Sequence, residues 1–162
     1  MEKDSSHKRT FTLKEAKVKA SRYCAYQERT QQEVRNKLYE FGLRTDEVEE
    51  ALSDLIVDGF INEERYAKSF AGGKFRMKKW GRVKILQEMK QKGLSQYCIN
   101  KGMEEIDETE YRDVLMALLN KKADELRSLA PYQKKHKVAQ FVIRKGYEPN
   151  LVWDCINELI PS

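Results

Sequence analysis

Residues that break helices, form disulfides or bind metals are scarce in this sequence. Its 162 residues include 3 prolines and 8 glycines, while 35% are charged, a balance typical of long solvated helices rather than of loop-rich or β-sandwich domains. The 2 histidines and 3 cysteines lie far apart and lack the paired spacing that a zinc site, a disulfide framework or a catalytic nucleophile requires. We therefore expect an all-α protein that is not an enzyme and has no metal and no cofactor.

Long hydrophobic runs are also missing. No apolar stretch approaches the roughly 20 residues that are needed to span a bilayer. The N-terminus is polar and contains no hydrophobic signal core, so we expect a cytoplasmic protein that does not contact membranes.

A threefold repeat is centred on three glycines. Gly42, Gly93 and Gly146 are spaced about 50 residues apart, and apolar residues recur at the same offsets from each. Their steps of three and four residues are typical of one helix face. The residue just after a helix end often has a positive φ, which glycine adopts at little cost. Each copy is therefore predicted to contain two helices joined at its glycine. The shared apolar positions are Val34, Leu38, Val48, Leu52 and Leu55, then Ile85, Met89, Ile99, Met103 and Ile106, then Val138, Val142, Val152, Ile156 and Leu159.

A longer helix is predicted before each of these pairs. Thr12 and Asp107 stand three residues before Glu15 and Glu110, which is the spacing of a capping box. Asn62 likewise precedes two acids at a predicted helix start. The sequence thus predicts about nine helices in three tandem three-helix repeats, stacked as an elongated array that can curve. The predicted segments are a polar tail at 1–11 and repeats at 12–60, 61–106 and 107–162.

Positive charge is concentrated in the second repeat. Although the net charge is only +5, residues 62–101 carry 11 basic and 3 acidic groups. A cationic surface of this density is typical of proteins that bind a polyanion or an acidic protein surface. The alternative is a face that is merely solvated. The candidate binding residues are Arg65, Lys68, Lys74, Arg76, Lys78, Lys79, Arg82 and Lys84.

Two segments resemble the RecX family. GFINEERYAKSF at 59–70, followed by GRVKILQEMKQKGL at 81–94, is similar to the family's central signature, and RTQQEVRNKLYEFG at 29–42 is similar to its first repeat. The resemblance implies a cytoplasmic regulator without turnover or cofactor that binds the RecA filament and mainly inhibits RecA in recombination, repair and the SOS response. It makes the basic residues above candidates for contact with RecA or with single- and double-stranded DNA, independently of sequence. We expect a monomer.

Two other interpretations stay open. Two helices joined at a glycine also describe a helix-turn-helix that reads a defined DNA site. Against this interpretation, the second helices of the pairs are acidic at 45–58 and poor in base-reading side chains at 95–105. The other alternative is a helical scaffold that binds a protein and never contacts DNA.

Overall fold

Nine α-helices and no strand make up the described part of the chain. The computed structural model describes residues 11–161, so all but the last residue of the predicted polar tail lies outside the described residues. The all-α class and the tandem arrangement of three-helix repeats are confirmed. None of the helices in the described range is both long enough and apolar enough to cross a membrane. The helices are α1 (Leu13–Tyr26), α2 (Gln31–Glu40), α3 (Thr45–Val57), α4 (Glu63–Lys78), α5 (Arg82–Gln91), α6 (Gln96–Met103), α7 (Glu108–Glu125), α8 (Pro131–Arg144) and α9 (Pro149–Leu159).

Side-chain caps fix several of the helix starts. The Thr12 hydroxyl accepts a hydrogen bond from the Glu15 backbone N–H at 3.2 Å, and the Glu15 carboxylate accepts one from the Thr12 N–H at 3.3 Å. The Thr12 hydroxyl also donates to the Glu15 carboxylate at 2.9 Å, and this bond together with that from the Thr12 N–H favours the ionised carboxylate and lowers the pKa of Glu15. Asp107 caps α7 by accepting from the Glu110 N–H at 2.9 Å. The capping signals in the sequence therefore set the starts of α1 and α7.

The three repeat glycines end α2, α5 and α8 in one conformation. Their φ angles are +85° at Gly42, +75° at Gly93 and +104° at Gly146. This left-handed backbone favours glycine, because a Cβ there approaches the neighbouring carbonyl. The residue that follows each glycine is buried, which turns the chain back onto the helix just completed.

Contacts divide the chain into two compact units at Tyr66–Ala67. In the first unit, α1, α2 and α3 pack against one another. Their core includes Ala16, Ala20, Val34 and Leu38, all fully buried.

The second unit holds the rest of α4 and all of α5 to α9. Here α7, α8 and α9 pack together, as do α5 and α6. Gly102 on α6 lies so close to α4 that an added Cβ would stand 2.7 Å from the Ala67 carbonyl oxygen. Most of the second repeat and all of the described part of the third therefore belong to one compact unit.

A backbone junction joins those two repeats. The Gly81 N–H donates to the Lys145 carbonyl at 2.8 Å, and the Val83 N–H donates to the Gly146 carbonyl at 2.9 Å. A Cβ on Gly81 would stand 2.2 Å from the Gly146 carbonyl carbon, so this approach excludes any side chain. The start of α5 is thereby held against the turn between α8 and α9.

Replacing Gly93 with alanine is expected to destabilise the protein by about 1 kcal/mol, because a Cβ is strained at its positive φ. Gly73 is a matched control, since it lies inside α4 and an added Cβ would meet no atom within 4 Å beyond the adjacent backbone of its own helix. Gly73→Ala should stabilise by roughly 0.5–1 kcal/mol through helix propensity alone. Urea unfolding of both variants measures the two effects, and equal shifts of the same sign would contradict this explanation.

Candidate polyanion-binding groove

Arg65, the first of the eight predicted residues, is tied into the first unit. Its Nε donates to the Glu28 carboxylate at 2.5 Å, and its Nη2 donates to the Gly59 carbonyl at 3.0 Å. These contacts close the turn that precedes α4. Its guanidinium is thus engaged in the fold around the start of the helix.

Arg82 lies at the centre of a polar network in the second unit. Its Nε and Nη2 donate to one oxygen of Glu148 at 2.9 and 2.6 Å, and its Nη1 donates to Glu108 at 2.6 Å. The Tyr111 hydroxyl donates to the other Glu148 oxygen, and the Arg82 guanidinium lies 4.0 Å from the centre of the Tyr111 ring. Burial lowers the pKa of Arg82, but its bonds to Glu148 and Glu108 outweigh this and raise the pKa overall. The network fastens α5 to α7 and α9.

The other predicted residues on α4 differ in their surroundings. Arg76 is half exposed, and its Nη2 lies 3.8 Å from the Glu105 carboxylate, a loose pairing that solvent screens. Lys68 is half-buried. Lys78 and Lys79 are exposed at the end of the helix. Lys79 has a φ of +57°, and its carbonyl accepts from the Tyr147 hydroxyl at 3.0 Å.

Lys74 and Lys84 converge on one aromatic ring. Their ammonium nitrogens lie 4.9 and 4.3 Å from the centre of the Trp80 ring. Trp80 stands two residues after the end of α4 and leads into the junction at Gly81. The structure therefore brings these two predicted lysines together beside a tryptophan.

Trp80 and Lys84 form one side of a groove whose other side comes from the third repeat. The main cavity has a volume of about 440 Å³, and a cavity of about 300 Å³ shares three of its lining residues. We call both together the cationic groove. Its basic residues are Lys79, Lys84, Lys121, Lys122, Lys137, Arg144 and Lys145, and its other residues include Trp80, Phe141, Gln140 and Glu125.

The charged side chains that line the cationic groove are almost all positive. Glu125 is the one carboxylate among its lining residues, and it lies 3.2 Å from the Lys122 ammonium. Like charges collected in a cleft raise the local concentration of anions. The arrangement can therefore hold phosphate groups or carboxylates, and it contains no pair of groups suited to acid–base chemistry.

A second aromatic ring repeats the arrangement around Trp80. The Lys122 and Lys145 ammonium nitrogens lie 4.6 and 5.7 Å from the centre of the Phe141 ring. Phe141 is 37% exposed, so part of its ring is open to solvent. The groove thus combines basic side chains with two partly exposed rings.

Sequence reasoning missed the contribution of the third repeat. Helical spacing places Lys137, Phe141, Arg144 and Lys145 of α8 on one face, and this periodicity was a usable signal. The contribution of α7 was harder to predict, since Lys121 and Lys122 stand among the acids of that helix. What the sequence could not indicate is that the junction sets this face beside Trp80.

No group of histidine, cysteine or acidic side chains suited to a metal ion occurs in the part of the chain that the structure describes. Cys24, Cys98 and Cys155 are all free thiols. Burial raises the pKa of the Cys24 thiol, which keeps it protonated and unreactive.

Comparison with known proteins gives three matches to family models. Residues 16–55 match the first three-helix domain of RecX, residues 62–103 the second, and residues 108–156 the third. Together the three models cover most of the chain, and they fall in the order in which the repeats occur.

Curated relatives and solved structures agree with these matches. The chain is 27% identical over 147 residues to the regulatory protein RecX of Bacillus cytotoxicus, covering 91% of this chain and 54% of that protein. It is 29% identical over 134 residues to that of Clostridium perfringens, covering 82% and 60%. The chain therefore spans little more than half the length of these relatives.

Two crystal structures are similar in fold. That of RecX from Lactobacillus salivarius has a TM-score of 0.82 at 23% identity, covering 91% of this chain and 96% of that one. A second, of a regulatory protein RecX, has a TM-score of 0.76 at 23% identity, covering 91% and 72%. At these identities the likeness establishes the fold.

Arg82→Gln is expected to lower the free energy of unfolding by about 2 kcal/mol, because it leaves the half-buried Glu148 carboxylate without its charged partner. Arg82→Lys should recover only part of the loss, since one ammonium cannot donate to both carboxylates as the planar guanidinium does. Lys78→Gln, on an exposed residue of α4, serves as the control and should change stability by less than about 0.5 kcal/mol. Urea unfolding gives all three values, and an Arg82→Gln protein as stable as the control would contradict a structural role for Arg82.

Proposed function

This chain belongs to the RecX family, and on that premise we propose that it is a non-enzymatic regulator that binds the RecA nucleoprotein filament through its cationic groove. Its main effect is inhibition of RecA in recombination, repair and the SOS response, and it acts as a monomer in the cytoplasm. The observation that carries this proposal is the convergence of seven basic side chains and a single carboxylate on one groove.

Electrostatics favours an anionic partner that extends beyond the groove. Lysine and arginine side chains neutralise phosphates and release counterions, which gives affinity without reading base sequence. A RecA filament on DNA contains the phosphates of that DNA. The proposed contact with single- or double-stranded DNA is therefore independent of sequence and weakens steeply as salt is added.

The candidate contact residues fall into three groups. Lys74, Lys78, Lys79 and Lys84 remain proposed contacts with RecA or DNA, joined now by the basic residues of the third repeat in the groove. Lys68 and Arg76 are proposed as peripheral contacts on α4. Arg65 and Arg82, in contrast, are proposed to act through the fold, since their guanidinium groups are engaged by carboxylates.

Several repeats in one chain strengthen such binding. Once one unit has bound the filament, contact by the second is intramolecular and is favoured by a high effective concentration. Three repeats at 12–60, 61–106 and 107–162 would thus bind more tightly than any one of them, even where each contact is weak.

The helix-turn-helix alternative has less support. Its reading helix in the second repeat would be α6, where the Gln96 side-chain amide donates to the Asn100 side chain at 2.7 Å. That bond engages two of the few base-reading groups of α6. A defined protected site in footprinting on duplex DNA would nevertheless favour this alternative over the filament proposal.

Reversing the charge of the groove is expected to abolish inhibition of the RecA ATPase on single-stranded DNA. The variant Lys84→Glu, Lys122→Glu, Lys145→Glu places three carboxylates where phosphates would lie, and like charges at an interface oppose binding strongly. The concentration that gives half inhibition should rise by at least about tenfold, the equivalent of about 1.4 kcal/mol.

A control variant separates groove charge from total charge. Lys14→Glu, Arg22→Glu, Lys90→Glu changes the net charge equally at three exposed positions outside the groove. It should leave half inhibition within about twofold of the parent protein. If both variants lose inhibition to the same extent, or if neither does, the groove is not the contact surface.

A further inference from the structure

We infer that the cationic groove takes single-stranded nucleic acid in preference to a duplex, and that it holds unpaired bases by stacking them on Trp80 and Phe141. The inference rests on the proposed function and deepens it by naming the ligand class of the same groove. It is carried by the two rings rather than by the charge.

The two rings are the first observation. Trp80 and Phe141 line one cavity, and each has two lysine ammonium groups within 6 Å of its ring centre. Stacking on an aromatic ring tolerates any base, because every base has a π-face, and neighbouring lysines take the phosphates. The groove therefore offers rings on which bases can stack and cations that can bind the phosphates beside them.

The second observation is that Trp80 is held in place by backbone contacts. Its N–H donates to the Lys74 carbonyl at 3.2 Å, and the next residue, Gly81, is fixed at the junction. Phe70 packs against the indole edge-to-face, with 6.4 Å between ring centres and 73° between planes. The ring is therefore pre-organised as a platform, which lowers the entropy lost when a base stacks on it.

A base that stacks on Trp80 or Phe141 displaces a lysine ammonium from the ring, and this displacement costs little free energy. An exposed cation–π contact is weak, and an ammonium that leaves a ring for a phosphate exchanges it for a charge-assisted hydrogen bond. A duplex offers only its phosphates, because its bases already stack on one another. The same groove thus distinguishes the two forms of nucleic acid through its rings.

Tryptophan fluorescence provides a direct test, since the chain has 2 tryptophans. Trp153 packs against His136, with 5.1 Å between ring centres, and lines a neighbouring cavity that shares Lys137 and Gln140 with the groove but contains neither Trp80 nor Phe141. In the full chain carrying Trp153→Phe, Trp80 is the sole tryptophan, and an oligo(dT) of about 12 nucleotides should quench its emission. In the matched chain carrying Trp80→Phe, the emission of Trp153 should change much less, because Trp153 is not among the lining residues of the groove.

Affinity measurements separate stacking from charge. Trp80→Ala is expected to weaken oligo(dT) binding by about 5- to 100-fold, with the salt dependence of binding unchanged because no phosphate contact is lost. Binding of an abasic oligonucleotide of equal length, and of a duplex, should change by less than about twofold. Trp80→Phe keeps a ring and should retain most of the affinity, which also shows whether the alanine variant fails only by misfolding.

Distinct outcomes overturn the inference and the proposed function. Equal losses for oligo(dT) and the abasic strand, or absence of Trp80 quenching at saturation, would overturn stacking. Tighter binding of the duplex than of oligo(dT) by the parent protein would also overturn it. Those results leave the filament proposal standing as long as the Lys84, Lys122 and Lys145 reversal abolishes RecA inhibition, and that variant alone decides the proposal.

Discussion

The junction between Gly81 and Gly146 is the constraint on which the cationic groove depends. Two backbone hydrogen bonds cross it, to the carbonyls of Lys145 and Gly146, at a separation that leaves no room for a Cβ. The contact is short because both partners are glycines, and it sets the start of α5 beside the end of α8. Without this contact, Lys84 and Lys145 would not lie side by side, and the groove would lack the side that Trp80 and Lys84 form.

The polar network around Arg82 adds specificity to this junction. A guanidinium shielded from water is costly unless its donors are bonded, and here two carboxylates and a tyrosine ring surround it. The planar fork of arginine matches this geometry, whereas a lysine ammonium does not. One basic residue of the second repeat is thereby assigned to the fold, while Lys84, two positions further along α5, stays with the groove.

Much of the fold was predictable because its signals are local. Capping residues such as Thr12 and Asp107, and glycines such as Gly42 and Gly93, act within one or two turns of their own position. The roles of Arg65 and Arg82 were not predictable, since their partners Glu28 and Glu148 lie 37 and 66 residues away. Periodicity identifies which face of a helix is buried, but it carries no information on which distant carboxylate neutralises a given cation.

The repeats share their core and differ in their surface, and this explains why the groove has only one location in the described chain. Counted back from the glycine, the position of Lys137 corresponds to Lys84 in the second repeat and to Glu33 in the first. The position of Arg144 corresponds likewise to Gln91 and Glu40. The core offsets must stay apolar for each repeat to fold, whereas these surface offsets are free to vary. The charge of the groove is therefore a property of two particular repeats placed side by side, and not of the repeat itself.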